Sequence, residues 1–146
     1  DVPLLVSNLT GCERGEWAQQ ESDDARDLLN LLIHAVAQVT PGAKLGATAP
    51  YAKAECVVLE VGQKQPRSLA NAFLHPIDCL HRGAHPMGLS VQAMAEYMSA
   101  LDEMYGDDGE GRFVSLASIH HWPRESEHVI PLQAAIDKSL EAVFGE

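Results

Sequence analysis

Apolar residues recur at helical spacing in the first third of the chain. Ser22 is a favourable N-cap, and the apolar positions that follow it continue to Val39. Pro41-Gly42 then ends the pattern, which predicts one long amphipathic helix. The positions expected to face the core are Ala25, Leu28, Leu29, Leu32, Val36 and Val39.

Two further helices are predicted in the second half of the chain. Ser90 is the expected N-cap of one, and the other runs from Pro131 to Phe144. The expected inward positions of the first are Met94, Tyr97, Met98, Leu101 and Met104. Those of the second are Leu132, Ala135, Ile136, Leu140 and Val143.

Three short stretches alternate in the manner of strands. They are Val2 to Asn8, Glu55 to Val61 and Phe113 to Ser118. A short helix is predicted from Pro66 to Leu74, and an exposed loop from Pro76 to Pro86. This order predicts an α+β fold in which helices pack on an antiparallel sheet. Because three short strands make a thin sheet, we expect further strands from sequence that is not present here.

Charge is distributed unevenly along the chain. The 146 residues carry a formal net charge of -11, which argues against a free-standing nucleic-acid binder. Residues 41–86 are the exception, because five bases there face three acids. The bases are Lys44, Lys53, Lys64, Arg67 and Arg82. Any contact with a phosphate backbone is therefore expected in this middle segment.

The cysteines and the ends of the chain bear on its cellular setting. Cys12, Cys56 and Cys79 are odd in number and widely spaced, which favours a reducing cytoplasm over a disulfide framework. No apolar run is long enough for a membrane span, and the first residues do not resemble a signal peptide. The chain has no initiator Met, so we expect a fragment or a processed piece.

Metal-binding and catalytic motifs are weak in this sequence. Cys79-x-His81-x-x-x-His85 has suitable residue types but lacks an accompanying partner motif, so a solvated loop is the preferred interpretation. The adjacent His120-His121 side chains are expected to point apart. The acids of Glu125-Ser126-Glu127 and Asp107-Asp108 are expected to be solvated. We therefore predict no metal, no cofactor and no catalytic residue.

A small-residue turn follows the first predicted helix. Gly42-x-Lys44-x-Gly46 is typical of loops whose backbone N–H groups approach an anion, with a lysine adding charge. It is not a Walker A motif, because the GK[ST] ending and the following helix are missing. An ordinary helix-to-strand turn explains the same residues.

A longer signature carries a family resemblance. It consists of Pro41-Gly42-Ala43-Lys44, Thr48-Ala49-Pro50-Tyr51, the strand from Glu55 to Val61, and Gln65-Pro66-Arg67-Ser68-Leu69-Ala70-Asn71-Ala72-Phe73. It continues through Ser90-Val91-Gln92-Ala93, Tyr97 and Phe113-Val114-Ser115-Leu116. In this order the segments resemble the C-terminal half of CasC, the backbone subunit of the type I-E CRISPR Cascade complex.

The resemblance implies a fold and a function. The fold would be part of an RRM-like (ferredoxin-like) palm spanning residues 1–146, without the fingers and thumb. The function would be that of a non-catalytic scaffold that polymerises along CRISPR RNA and holds it for pairing with target DNA. The implied partners are the CRISPR RNA, target DNA through the guide, copies of the chain itself and other Cascade subunits, with no membrane.

The resemblance also names candidate RNA contacts. Lys44 matches the lysine of the family's PGAK motif, and Thr48 and Tyr51 follow it in the same signature. In the loop after the short helix, where the family carries lysines, this chain has Arg82 and His85. The alternative is a protein–protein assembly module of the same complex that does not touch RNA.

Overall fold

The computed structural model describes residues 22–39, 53–62, 67–77, 85–106 and 111–145. Within these ranges, three α-helices alternate with two strands and one short 3₁₀ helix. The elements are α1 (Ser22–Gln38), β1 (Cys56–Glu60), the 3₁₀ helix (Ala70–Phe73), α2 (Pro86–Tyr105), β2 (Arg112–Leu116) and α3 (Leu132–Phe144). The predicted α+β class is confirmed, whereas the predicted strand from Val2 to Asn8 lies outside the described residues.

The two strands form an antiparallel ladder. Val58 lies opposite Val114, and the Val61 N–H donates to the Gly111 carbonyl at 2.9 Å, which extends the ladder beyond β1. On its other side, Val114 forms a parallel bridge with Val129, and the Val114 carbonyl accepts a hydrogen bond of 2.9 Å from the Ile130 N–H. Val114 is therefore held from both sides, in accordance with its complete burial.

The core of this unit lies between the sheet and α2. Val91, Ala95 and Met98 lie one turn apart on α2 and pack with Val114 and Trp122. From β1, Cys56 and Val58 pack against the same cluster. Because alternate strand residues share a face, this face of β1 is the one directed at α2.

Helix α2 begins earlier than the sequence pattern predicts. His85 is its N-cap and Pro86 is its first residue. The helix therefore begins four residues before Ser90. Ser90 lies inside the helix, where its hydroxyl donates to the Pro86 carbonyl at 2.9 Å. Proline is well suited to the first helical turn, because the N–H it lacks would have no intrahelical partner. The prediction that Ser90 caps the helix was wrong.

Helix α1 packs on α3, and its buried residues form a stripe that is rotated from the predicted one. Its buried residues are Ala25 and Ala37, with the half-buried Leu29 and Ile33 on the same helical row between them. Helix α1 contacts α3, and a hydrogen bond of 3.0 Å joins His34 Nε2 to Gln133 Oε1. The predicted inward residues Val36 and Val39 are instead 75% and 65% exposed. Val39 lies outside this stripe, whereas Val36 points in the same direction as the stripe but lies in the last turn of the helix.

The inner face of α3 is largely as predicted. Ala135, Ile136 and Leu140 are buried, whereas Val143 at the end of the helix is half exposed. Met104 of α2 is also exposed, since the buried row of that helix runs through Val91, Ala95 and Met98. Among the described residues, no helix is both long enough and apolar enough to cross a membrane.

Candidate functional site

A cluster of three arginines and three carboxylates lies where α2, β1 and β2 meet. Its centre is Asp102, which is four residues after Met98 and therefore continues the buried row of α2. The Asp102 carboxylate accepts hydrogen bonds from Arg112 at 2.6 Å and 2.5 Å, one on each oxygen. Both side chains are close to nine-tenths buried. This bidentate geometry is the strongest form of Arg–carboxylate pairing.

Glu60, at the end of β1, extends the cluster towards the segment before the 3₁₀ helix. Its two oxygens accept from Arg67 at 2.8 Å and 2.9 Å, and one of them also accepts from Arg112 at 3.0 Å. Arg67 reaches Asp102 as well, at 2.8 Å. Arg67 thus ties residues 67–77 to the end of β1 and to α2.

Glu127 closes the cluster on the side of β2. It is buried, and it accepts from Trp122 Nε1 at 3.2 Å and from Arg124 at 2.8 Å. Arg124 also bonds Asp102 at 2.8 Å and the Ser99 hydroxyl at 3.0 Å. The expectation that Glu127 is solvated was wrong, because Trp122 of the apolar core covers it and two arginines compensate its charge.

The arginines keep the acids of the cluster ionised. Burial alone would raise the pKa of the Asp102 carboxyl, but hydrogen bonds from Arg112, Arg124 and Arg67 outweigh it and hold that pKa well below its ordinary value. The same balance of burial against arginine bonds lowers the pKa of Glu60 and of Glu127. Burial opposes the charge of Arg112 as well, yet its bonds to Asp102 and Glu60 raise its pKa.

This arrangement joins chain segments and leaves little charge for a ligand. The charges of the three arginines are matched by three carboxylates within hydrogen-bonding distance. Arg67, counted among the bases of the middle segment, is therefore committed to Glu60 and Asp102. The sequence does contain one signal for this cluster, which is an aspartate on the buried row of an amphipathic helix.

A second group of polar side chains lies at the start of β1 and of α2. His120 Nε2 is 2.8 Å from Glu55 Oε2, and the His120 side chain is only 5% exposed. The ring of His85 lies 5.8 Å from that of His120, and His85 Nδ1 accepts from the Met87 N–H at 3.3 Å. His121 is exposed, so the two adjacent histidines have different environments.

Of the five predicted RNA contacts, His85 is the one that the structure describes. It is exposed and caps α2. The other four lie outside the described residues and are Lys44, Thr48, Tyr51 and Arg82. Two described residues follow these positions closely in the sequence. Glu55 comes four residues after Tyr51, and His85 comes three residues after Arg82. Glu55 and His85 both neighbour His120.

A pocket of about 410 Å³ lies between the segment around the 3₁₀ helix and α2. Ala72, His75 and Pro76 line one side, and Gln92 and Glu96 lie on the other. Gln92 Nε2 donates to Glu96 Oε1 at 2.8 Å, so these two polar groups satisfy each other. The pocket has the volume of a small-molecule site but lacks a set of convergent unpaired polar groups among these lining residues.

Cys56 is a free thiol on the face of β1 that packs against the core. Burial raises the pKa of this thiol to about 11, so it is protonated near neutral pH. In the part of the chain that the structure describes, no group of three or more His, Cys, Asp or Glu side chains is placed to hold a metal ion. Cys79 and His81 of the weak metal motif lie outside the described residues.

Comparison with known proteins identifies the family. A family model described as CT1975-like protein, Cas_CT1975, matches residues 1–142. No curated protein matches the chain. Since the match covers nearly the whole sequence, and its name marks a CRISPR-associated group, the chain belongs to the CT1975-like family of CRISPR-associated (Cas) proteins.

Proposed function

We propose that this chain is a non-catalytic scaffold that binds CRISPR RNA and holds it for pairing with target DNA. Membership of a Cas family places the chain in a CRISPR-related role, and the resemblance to the CasC subunit of type I-E Cascade supplies the finer assignment. In this proposal the chain works in the cytoplasm with copies of itself and other Cascade subunits. Base pairing reads the target sequence, so the protein has only to grip the RNA backbone.

The observation that carries the proposal is the proximity of both Glu55 and His85 to His120. The segment with Lys44, Thr48 and Tyr51 precedes Glu55, and the segment with Arg82 precedes His85. The proximity of Glu55 and His85 to the His120 ring supports a contact surface to which both segments contribute. Lys53, two residues before Glu55, is exposed and adds a further positive charge.

The arginine cluster supports a division of roles within the middle segment. Arg67 is held by Glu60 and Asp102 and therefore stabilises the fold. The phosphate contacts then fall to Lys44 and Arg82, with Lys53 close to Glu55. Because each phosphate contact releases a counterion, binding through these groups depends on salt.

Filter binding of a CRISPR guide RNA to the full chain tests this proposal. We expect Lys44→Ala and Arg82→Glu to weaken binding and to make its salt dependence less steep, as expected when phosphate contacts are lost. Lys138→Ala is the matched control, because Lys138 is exposed on α3 and far in sequence from the proposed surface. Guide binding that is insensitive to salt and equal in all four proteins would contradict the RNA-binding role.

An assembly module without RNA contact is the second candidate function. The observation that favours it is the exposure of large apolar side chains on all three helices, among them Val36, Met104 and Val143. Such residues are normal when they are scattered, but contiguous groups mark interaction surfaces. Retention of the chain in a reconstituted complex, with unchanged guide binding in the Lys44 and Arg82 variants, would favour this function.

A further inference from the structure

Helix α1 carries a wider apolar arc than the described residues bury. The row Ala25, Leu29, Ile33 and Ala37 contains the two buried alanines and belongs to the side that packs on α3. A surface helix of a globular protein needs only one such stripe to be held in place. The exposed apolar residues beside this stripe therefore require a separate explanation.

The remaining apolar residues of α1 lie on two adjacent rows of i, i+4 spacing, which we call the outer face. The first row is Asp27, Leu31, Ala35 and Val39, and the second is Asp24, Leu28, Leu32 and Val36. All four members of the first row are exposed, with Leu31 at 66% and Val39 at 65%. In the second row Asp24 and Val36 are exposed, while Leu28 and Leu32 are half-buried.

The outer face is also polarised in charge. Each of its rows begins with an exposed aspartate, Asp27 or Asp24, and continues with apolar residues alone. The chain as a whole carries a net charge of -11, which also favours association with a basic partner. A partner that complements this face is apolar along its length and basic where it meets the two aspartates.

We propose that the outer face of α1 docks a basic amphipathic helix of a partner protein. An apolar ridge on that helix packs between the first and second rows of the outer face. Its lysines or arginines pair with Asp24 and Asp27. A second copy of this chain fits less well, because its own α1 brings two more aspartates to the contact. An anionic membrane is disfavoured for the same electrostatic reason.

This inference deepens the assembly role in the proposed function, since it names one surface and the chemistry of its partner. It does not require RNA contact through Lys44 or Arg82. An experiment without RNA therefore separates the two, because loss of guide binding and loss of docking are measured independently.

The test is fluorescence anisotropy with the full chain and two labelled synthetic peptides. Both peptides are amphipathic helices with leucines along one side, and they carry either lysines or glutamates at the flanking positions. We expect the lysine peptide to bind in a manner that weakens with salt, and the glutamate peptide to bind at least about tenfold more weakly.

Two protein variants probe the two properties of the face separately. Leu31→Ser/Val39→Ser removes apolar contact, and Asp24→Lys/Asp27→Lys reverses the charge while leaving the apolar rows intact. Each is expected to weaken binding of the lysine peptide at least about tenfold. Ile119→Ser is the matched control, because Ile119 is 78% exposed outside α1, and it should bind as the wild type does. Circular dichroism melting verifies that each variant is folded.

Failure of the lysine peptide to bind, or equal binding by all folded variants, overturns the proposal. So does a dimer in sedimentation analysis that Leu31→Ser/Val39→Ser dissociates, because the occupant is then a second copy. Co-sedimentation with phosphatidylcholine vesicles that is lost in the same variant also overturns it, because the face then binds lipid.

Discussion

Asp102 and Arg112 form a bidentate ion pair in which each carboxylate oxygen accepts a hydrogen bond from one guanidinium nitrogen, with N–O distances of 2.5 Å and 2.6 Å. The pair joins the second half of α2 to the first residue of β2, and Arg67 and Arg124 bond the same carboxylate. One acid thus connects four parts of the chain. Removing one partner from such a pair leaves a buried charge without compensation, which costs more than the pair contributes when it is intact.

Asp102→Asn is expected to lower the free energy of unfolding by roughly 3 kcal/mol. The three positive charges of the arginines are then matched by only two carboxylates. Urea denaturation followed by circular dichroism measures the change. Glu103→Gln removes a carboxylate from the adjacent, exposed position of the same helix and should change stability by less than about 0.5 kcal/mol. Equal effects of the two substitutions would show that the cluster does not contribute to the stability of the fold.

The same acids make stability depend on pH in a defined direction. The pKa values of Asp102, Glu60 and Glu127 are lower in the folded chain than their ordinary values. The unfolded chain therefore takes up protons first, and the stabilisation is complete above roughly pH 5 and is lost as the pH falls through the folded values. Denaturant midpoints measured from pH 7 down to pH 2 should decrease below roughly pH 5. Asp102→Asn should show a shallower decrease, and an identical profile would contradict this explanation.

The helices and strands of the described residues were mostly predictable, since their apolar periodicity is local information. The start of α2 shows the limit of that approach. Ser90 is a good N-cap by residue type, but His85 and Pro86 form the actual start, and a proline closing a polar stretch suits both a loop and a first turn. The pattern also does not say which part of a wide apolar arc a helix buries, or where along the helix the contact ends, which is why Val39 and Val36 were misplaced.

The arginine cluster was not predicted because its partners are far apart in sequence. Glu60 and Arg112 are separated by 52 positions and meet only because β1 pairs with β2. Glu127 looked like a solvated loop acid, and its burial depends on the packing of Trp122 against the core. All five candidate RNA contacts stay predictions, and of these residues the structure describes His85 alone.

Met98→Ala should be among the most destabilising substitutions in the core. Met98 is fully buried between α2 and the sheet, so truncation leaves a cavity in addition to the lost transfer energy, and about 2–5 kcal/mol is expected. Met104→Ala is the matched control, because Met104 lies on the same helix but is 73% exposed, and its effect should be below about 0.5 kcal/mol. Urea denaturation measures the loss of unfolding free energy in both variants. Similar losses would contradict the assignment of Met98 to the buried face of α2 and of Met104 to the exposed one.

Arg67→Lys is expected to loosen residues 67–77 while the rest of the fold remains stable. Arg67 bonds both oxygens of Glu60 and one of Asp102, which a lysine ammonium cannot reproduce in that fork geometry. Hydrogen exchange should accelerate at the amides of Ala72 and Leu74, which are bonded within this segment, and should be unchanged in β2. Uniform acceleration throughout the chain, or none in this segment, would contradict the tethering role.

Cys56 should react slowly with thiol reagents in the folded chain. Burial raises its pKa from an ordinary 9.0 to about 11, so at pH 8 the thiolate fraction is about a hundredfold smaller than that of an unperturbed thiol. Iodoacetamide labelling of a Cys12→Ser/Cys79→Ser variant isolates this residue. We expect the labelling rate to increase up to about pH 11 in the folded protein and to level off near pH 9 in urea. A folded-state rate that levels off near pH 9 would contradict the burial of Cys56 against the α2 core.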